Sequence, residues 1–304
     1  MRGKKFLGVT IVLPQFLKGA IKRMTNGSTD TIINDSFFRE NKVSTPIQKN
    51  ILLDEGWESI KKEDENITID EKIKKNPLAF TYRICFELSN LCNYADIHRK
   101  CPLNLAGEPE TLETSIVFDS LDFLAKYNFQ GRISFNNYNE PLIDPRLFIF
   151  IKYARSVCPN SNIYICTNGF YLTQTLANEL VAAGISSIHV SGYFQREMDR
   201  LSKIHLDIPY EVQAMRLDDT LKAYQRAETD SKKPCFAPLS EIIITSDAQM
   251  TLCCLDWQRR YSFGNLREHT LEEIITKKGV QKVYQRLSRG DRVLDICKRC
   301  DWTR

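Results

Sequence analysis

The chain's 304 residues exceed what one minimal core needs, and the length predicts one large domain with one or two smaller pieces. A composition of 42% hydrophobic and 26% charged residues, with 13 Gly and 11 Pro, is that of a soluble globular protein; a net charge of +4, spread without a long Lys/Arg tract, gives no expectation of a nucleic-acid partner. Ten cysteines in a chain this long are not the staples of a small secreted scaffold, and their grouping (Cys253 beside Cys254, Cys297-x-x-Cys300) points to metal ligands in a reducing compartment, the cytoplasm.

At the N-terminus, Lys4 and Lys5 precede an apolar stretch from Phe6 to Leu17. Pro14 interrupts it, no small-x-small cleavage site follows, and it is too short to span a bilayer, so it reads as an amphipathic helix packed on the body or a partner. Residues 1–78 form an N-terminal, mainly helical extension, with helices expected around Thr45–Lys61 and Ile69–Lys75. Phe80–Leu88 predicts an apolar strand. Helices at Ser115–Tyr127, Asp144–Val157 and Thr173–Ala183 then alternate with strands at Arg132–Phe135, Asn162–Cys166, Ser186–Ser191 and Ile208–Met215. Strands separated by helices of that length predict a parallel α/β sheet, whose ligands sit beyond the carboxyl ends of the strands. After Lys232 the pattern changes to a hairpin over Glu241–Leu252 that turns at Ser246–Gln249, then a helix near Leu271–Lys278.

The loop after the first strand reads Glu87-Leu-Ser-Asn-Leu-Cys92-Asn-Tyr-Ala-Asp-Ile-His98-Arg-Lys-Cys101. Its Glu87–Asn93 opening resembles the start of the radical SAM motif. There, three cysteines hold three irons of a 4Fe–4S cluster, and the fourth iron is left to the amino and carboxylate groups of S-adenosylmethionine (SAM). The sequence departs from the usual Cys-x3-Cys-x2-Cys: Asp96 and Arg99 stand where the second and third cysteines would be. Cys92-x5-His98-x2-Cys101 keeps the final spacing with an imidazole in place of a thiolate, and Cys85 or Asp96 are the other candidates for the third ligand. The alternative is a degenerate site with no cluster.

Three further segments extend the resemblance. Asn136-Asn-Tyr-Asn139-Glu140-Pro resembles the "GGEP" segment, which implies a role for Asn139 and Glu140 at the SAM ammonium. Thr167-Asn168-Gly169 and Ser191 end the next two strands, where the family places further SAM contacts. Cys158 and Cys166 read as core thiols. In the C-terminal part, Asp247–Asp256 resembles the "dGxvxxCcxD" hairpin of SPASM and twitch extensions, with Ala248 in the place of glycine. The order Cys235, Cys253, Cys297, Cys300 implies one auxiliary 4Fe–4S cluster; structural zinc on four cysteines is the rival.

The resemblance covers residues 80–304. It implies a partial (β/α)6 TIM-like barrel, with a radical SAM core at 79–230 and an auxiliary-cluster domain at 231–304. The expected activity is that of an oxidoreductase: SAM is cleaved to a 5′-deoxyadenosyl radical that takes a hydrogen atom from an alcohol- or sugar-like molecule or a peptide side chain. Electrons would come from a donor such as flavodoxin or ferredoxin. The other readings are a degenerate radical SAM fold acting as a binding module, and a zinc-binding interaction protein.

Overall fold

The computed structural model describes residues 68–98, 101–105, 108–215, 232–292 and 294–300. The helices expected at the N-terminus before Thr68 lie outside the described residues. Helix α1 (Ile69–Lys75) starts at a capping box in which the Thr68 and Glu71 side chains each accept the other's backbone N–H. Strand β1 (Arg83–Phe86) is followed by α2 (Thr114–Lys126), β2 (Arg132–Ser134), α3 (Leu147–Val157), β3 (Asn162–Thr167), α4 (Gln174–Ala183), β4 (Ser187–Gly192), α5 (Gln195–Leu201) and β5 (Tyr210–Ala214). A short turn, α6 (Ala237–Ser240), leads into β6 (Glu241–Ile244), β7 (Gln249–Thr251), β8 (Ser262–Asn265), α7 (Leu271–Thr276), α8 (Lys278–Ser288) and α9 (Asp295–Lys298).

The strands form one sheet in the order β5-β4-β3-β2-β1-β6-β7-β8. Pairing is parallel from β5 through β1 to β6, and antiparallel across β6-β7-β8. The hairpin expected as a separate C-terminal feature is therefore built onto the sheet: Arg83 pairs with Glu241 and Phe86 with Ile244, so β6 is a parallel neighbour of β1. In the hairpin turn, Ala248 takes φ +64, the left-handed conformation that explains why a glycine is the usual residue there.

Period-two alternation gives the sheet two chemically distinct faces. Ile84, Phe86, Ile133, Phe135, Ile163, Ile165, Ile188, Val190, Ile242 and Ile244 join the main core with Leu121, Leu124, Phe150, Ile151, Leu176 and Leu180 of the crossover helices. The alternate positions (Arg83, Cys85 and Glu87; Arg132 and Ser134; Tyr164 and Cys166; His189 and Ser191) carry the polar side chains. The sequence places chemistry on one face and packing on the other, and the strand ends carry the loops that follow. No helix among the described residues is long and apolar enough to cross a membrane.

Candidate active site

The Cys92 loop leaves the carboxyl end of β1 and is held there by its neighbours. The Cys92 thiol accepts the Tyr94 N–H at 3.4 Å and the Asn168 side-chain amide at 3.7 Å, and the same amide donates to Asn93 at 2.7 Å. Tyr94 is buried; its hydroxyl donates to Glu197 of α5 and its ring meets Phe170, Tyr193 and Phe194 edge-on. The His98 ring lies 5.7 Å from the Tyr193 ring. Burial raises the Tyr193 hydroxyl above its ordinary range, and the Cys166, Cys101 and Cys92 thiols add to the rise. Burial likewise pushes Cys92 up to about 12, with Glu140 and Cys101 contributing.

The three candidates for the third ligand separate in space. Asp96 is exposed. Cys85 is 2% exposed within β1, where Arg83, Glu241, Ser134 and Arg132 surround it. His98 lies on the loop beside Tyr193, with Cys92 and Cys101. Among the described residues no three His, Cys, Asp or Glu side chains close round a single ion.

Glu140 and Asn139 behave differently from a simple SAM-facing pair. Both Glu140 oxygens are taken by protein donors: Oε1 accepts the Thr167 hydroxyl at 2.6 Å and the Leu142 N–H at 3.0 Å, and Oε2 accepts the Asn168 N–H at 2.8 Å. Burial raises its carboxyl to about 7 despite these bonds. Asn139 turns back on its own loop, accepting from the Asn137 N–H and donating to the Phe135 carbonyl. Glu140 thus fixes the Thr167-Asn168 turn, and Asn168 carries that order to Cys92. Ser191 stands 3.7 Å from the Cys166 thiol on the polar face, while Cys158 is a core thiol at the end of α3. Cys166 is less purely structural than expected, because it belongs to the face that leads to Tyr193.

The C-terminal cysteines lie near one another, and among the described residues they do not close round a single point. Burial pushes Cys297 up to about 12, with Cys235 and Cys300 adding to the rise; Cys253 is raised by burial and then by Cys254, Cys297 and Cys235. Cys235, Cys253 and Cys297 share a small cluster with Leu252 and Leu287. All four are free thiols, and Arg292 braces the two strands of chain that bear them by donating to the carbonyls of Lys233 and Cys300. Cys297 is buried, Cys235, Cys253 and Cys300 are half-buried, and Arg292 is the neighbouring cation; a donor set of four thiols suits an iron–sulfur cluster. The SPASM family, described as an iron-sulfur cluster-binding domain, matches residues 235–301. The sheet has solved counterparts. BtrN in complex with AdoMet and 2-DOIA superposes at TM-score 0.63 and 21% identity over 73% of this chain and 93% of that one.

The chain has the radical SAM fold and carries a SPASM domain. BtrN in an open conformation superposes at TM-score 0.56, at 21% identity over 73% of this chain and 92% of that one. A curated relative, the S-adenosyl-L-methionine-dependent 2-deoxy-scyllo-inosamine dehydrogenase of Niallia circulans, is 24% identical over 71% of this chain and 90% of its own length.

The parallel sheet and the SPASM hairpin meet through a contact that the sequence did not announce. Glu87, 1% exposed, accepts from the Asn137 side chain at 2.7 Å and from Ser246 at 3.3 Å. It also pairs with Arg259 at 2.6 Å, and Arg259 reaches Asp247 at 2.7 Å. Tyr138 donates to the Cys254 carbonyl at 2.7 Å across the same small recess. The signal for Glu87 was its place two residues on from Cys85 on the polar face; nothing local pointed to Arg259.

Proposed function

We propose that this protein is a radical SAM oxidoreductase of the cytoplasm that removes a hydrogen atom from a small-molecule or peptide substrate. The observation that supports the reading is the Asn168 side chain of the turn after β3 on the Cys92 thiol of the loop after β1, with the His98 ring beside Tyr193 at the end of β4. Cys92, Cys101 and His98 would hold the first cluster, and Cys235, Cys253, Cys297 and Cys300 the second. When bound, the reduced first cluster supplies the electron that splits SAM into methionine and a 5′-deoxyadenosyl radical.

The chain's own residues do the rest. Tyr94, Phe170, Tyr193 and Phe194 wall the loop and exclude water. Glu140 fixes the Thr167-Asn168 turn, which would border SAM, with Ser191 on the neighbouring strand. The four thiols of the SPASM domain leave no protein-free coordination position, which suits a conduit for the second electron of an oxidation. That electron and the one spent on SAM require exchange with a flavodoxin- or ferredoxin-like donor. Residues 79–230 serve as the radical core, residues 231–304 as the auxiliary domain and residues 1–78 as an added extension.

The test is iron and sulfide content after anaerobic reconstitution, with EPR of the reduced protein with and without SAM. The expected result is about eight irons per chain and a spectrum that SAM alters, with His98→Ala losing roughly half the iron. About four irons and no SAM effect in the unsubstituted protein would move the reading to a binding module built on a degenerate fold. Zinc in place of iron would support an interaction protein.

A further inference from the structure

We propose that the polar face of the sheet is a binding site for a small molecule carrying a carboxylate or phosphate group, held by Arg132 with Arg83 beside it. The charges on this face do not balance. Arg83 pairs with Glu241 at 3.0 Å across β1 and β6. Arg132, on the next strand, has no carboxylate partner among the described residues. Its guanidinium is held by two aromatic rings, 4.6 Å from the centre of Tyr164 and 5.7 Å from that of Tyr82. The Nε atoms of both arginines are buried and make no hydrogen bond. A buried donor left without an acceptor is costly, and here two stand on adjacent strands of one face. Stacking fixes the plane of the Arg132 fork but satisfies none of its N–H groups. A planar fork of that kind is complementary to the paired oxygens of a carboxylate or phosphate.

The position suits a substrate. Tyr164 and Cys166 are successive residues of this face on β3, roughly 7 Å apart along the strand. Cys166 then touches Ser191, two residues before Tyr193, and the Tyr193 ring meets Tyr94 and His98 of the Cys92 loop. A continuous polar surface thus runs from the Arg132 fork to the Cys92 loop, over the length of a small metabolite. An anionic group anchored on Arg132 would leave the far end of the molecule at the carboxyl ends of the strands. The same charge disfavours an amine at the anchor, which separates this site from one made for an inosamine. What happens to the bound molecule rests on the radical reading; its binding does not.

The experiment uses the full-length, anaerobically reconstituted protein and two probes, inorganic phosphate and 13C-acetate. Line broadening of the 31P and 13C signals is followed at ionic strength held constant with chloride. Saturable binding of at least one anion is expected, weakened tenfold or more by Arg132→Gln, less by Arg132→Lys, and not competed by glucosamine. Binding of phosphate alone assigns a phosphorylated substrate, and of acetate alone a carboxylate. Should Arg132→Gln fail to fold, the unsubstituted protein decides the matter: the bound anion must shield Arg132 from phenylglyoxal, as mapped by mass spectrometry. No saturable binding, binding indifferent to Arg132→Gln, or no shielding overturns the proposal. SAM cleavage on the same preparation reads the radical chemistry separately. Anion binding without 5′-deoxyadenosine keeps the site and removes the chemistry, and the reverse result removes the site alone.

Discussion

At the scale of single residues, Glu140 shows how a motif residue can act through others. Its carboxyl is buried, accepts three protein donors, and is still raised from the ordinary 4.5 to about 7 because desolvation outweighs those bonds. The folded state therefore holds the proton more tightly than the unfolded chain. A carboxyl raised in this way adds stability as pH falls from about 7 towards 4.5, and its ionisation opposes folding above that window. Glutamine is neutral at every pH and lacks the effect. The thermal midpoint of Glu140→Gln relative to the unsubstituted protein should therefore rise as pH is taken from 5 to 8, by the equivalent of about 3 kcal/mol over the full window. A difference that stays flat across the range would mean the donors keep Glu140 ionised in the fold.

At the scale of elements, the turn after β3 is the part of the site most sensitive to backbone geometry. Gly169 takes φ +75, and a Cβ there would come within 2.6 Å of Val190 and 2.8 Å of Leu201. Its N–H donates to Thr167 and its carbonyl accepts from Arg200, so the turn cannot shift without releasing both. Gly169→Ala should cost about 1–3 kcal/mol in left-handed strain and should also lower iron content, because Asn168 loses its hold on the Cys92 loop. Gly184, the left-handed C-cap of α4, is the control. A Cβ there meets the Cβ and Cγ of Arg155, which is held by Gly184, Ser161 and Ser186 and touches none of the residues round Cys92, so Gly184→Ala should lower the thermal midpoint and leave iron unchanged. The alternation of elements was legible because each left a local trace: the Thr173 cap and Gly184 stop bound α4, and β-branched residues at every second position (Ile163 and Ile165, Ile188 and Val190) mark β3 and β4. Strand β8 was missed because its Gly264-Asn265 pair reads as a turn. Helix α8 was missed because Gly279 interrupts its start, although Val280, Tyr284 and Leu287 share one buried face. The clustering of Cys92 with Asn168, 76 residues apart, was legible only through the family resemblance, and the Tyr94–Glu197 bond, across 103 residues, left no local trace.

At the scale of the whole molecule, the question is what makes the radical core and the SPASM hairpin one unit. The β1–β6 ladder joins their backbones, but backbone pairing carries no chemical information about the site. Glu87 does: one oxygen supports the Asn137–Tyr138 loop that precedes Glu140, and the other takes Arg259 and Ser246 from the hairpin. Arg259 in turn adopts φ +55, a left-handed conformation that a non-glycine residue keeps only where its contacts hold it. The order of the Asn137–Tyr138 loop and the order of the Cys253 loop therefore share one ion pair. Removing Arg259 leaves the Glu87 carboxylate buried without a cation, which costs about 3–5 kcal/mol; removing the Glu87 charge costs less, because Arg259 keeps Asp247. Arg259→Met and Glu87→Gln should each lower the thermal midpoint. Because both break the same contact, the double substitution should cost much less than the two together, a coupling that a double-mutant cycle measures directly. If the pair also transmits order, either single substitution should broaden the EPR signals of both clusters, including the one it lies farther from. Additive losses, with only one signal affected, would instead mean that the core and the hairpin are joined by the sheet alone.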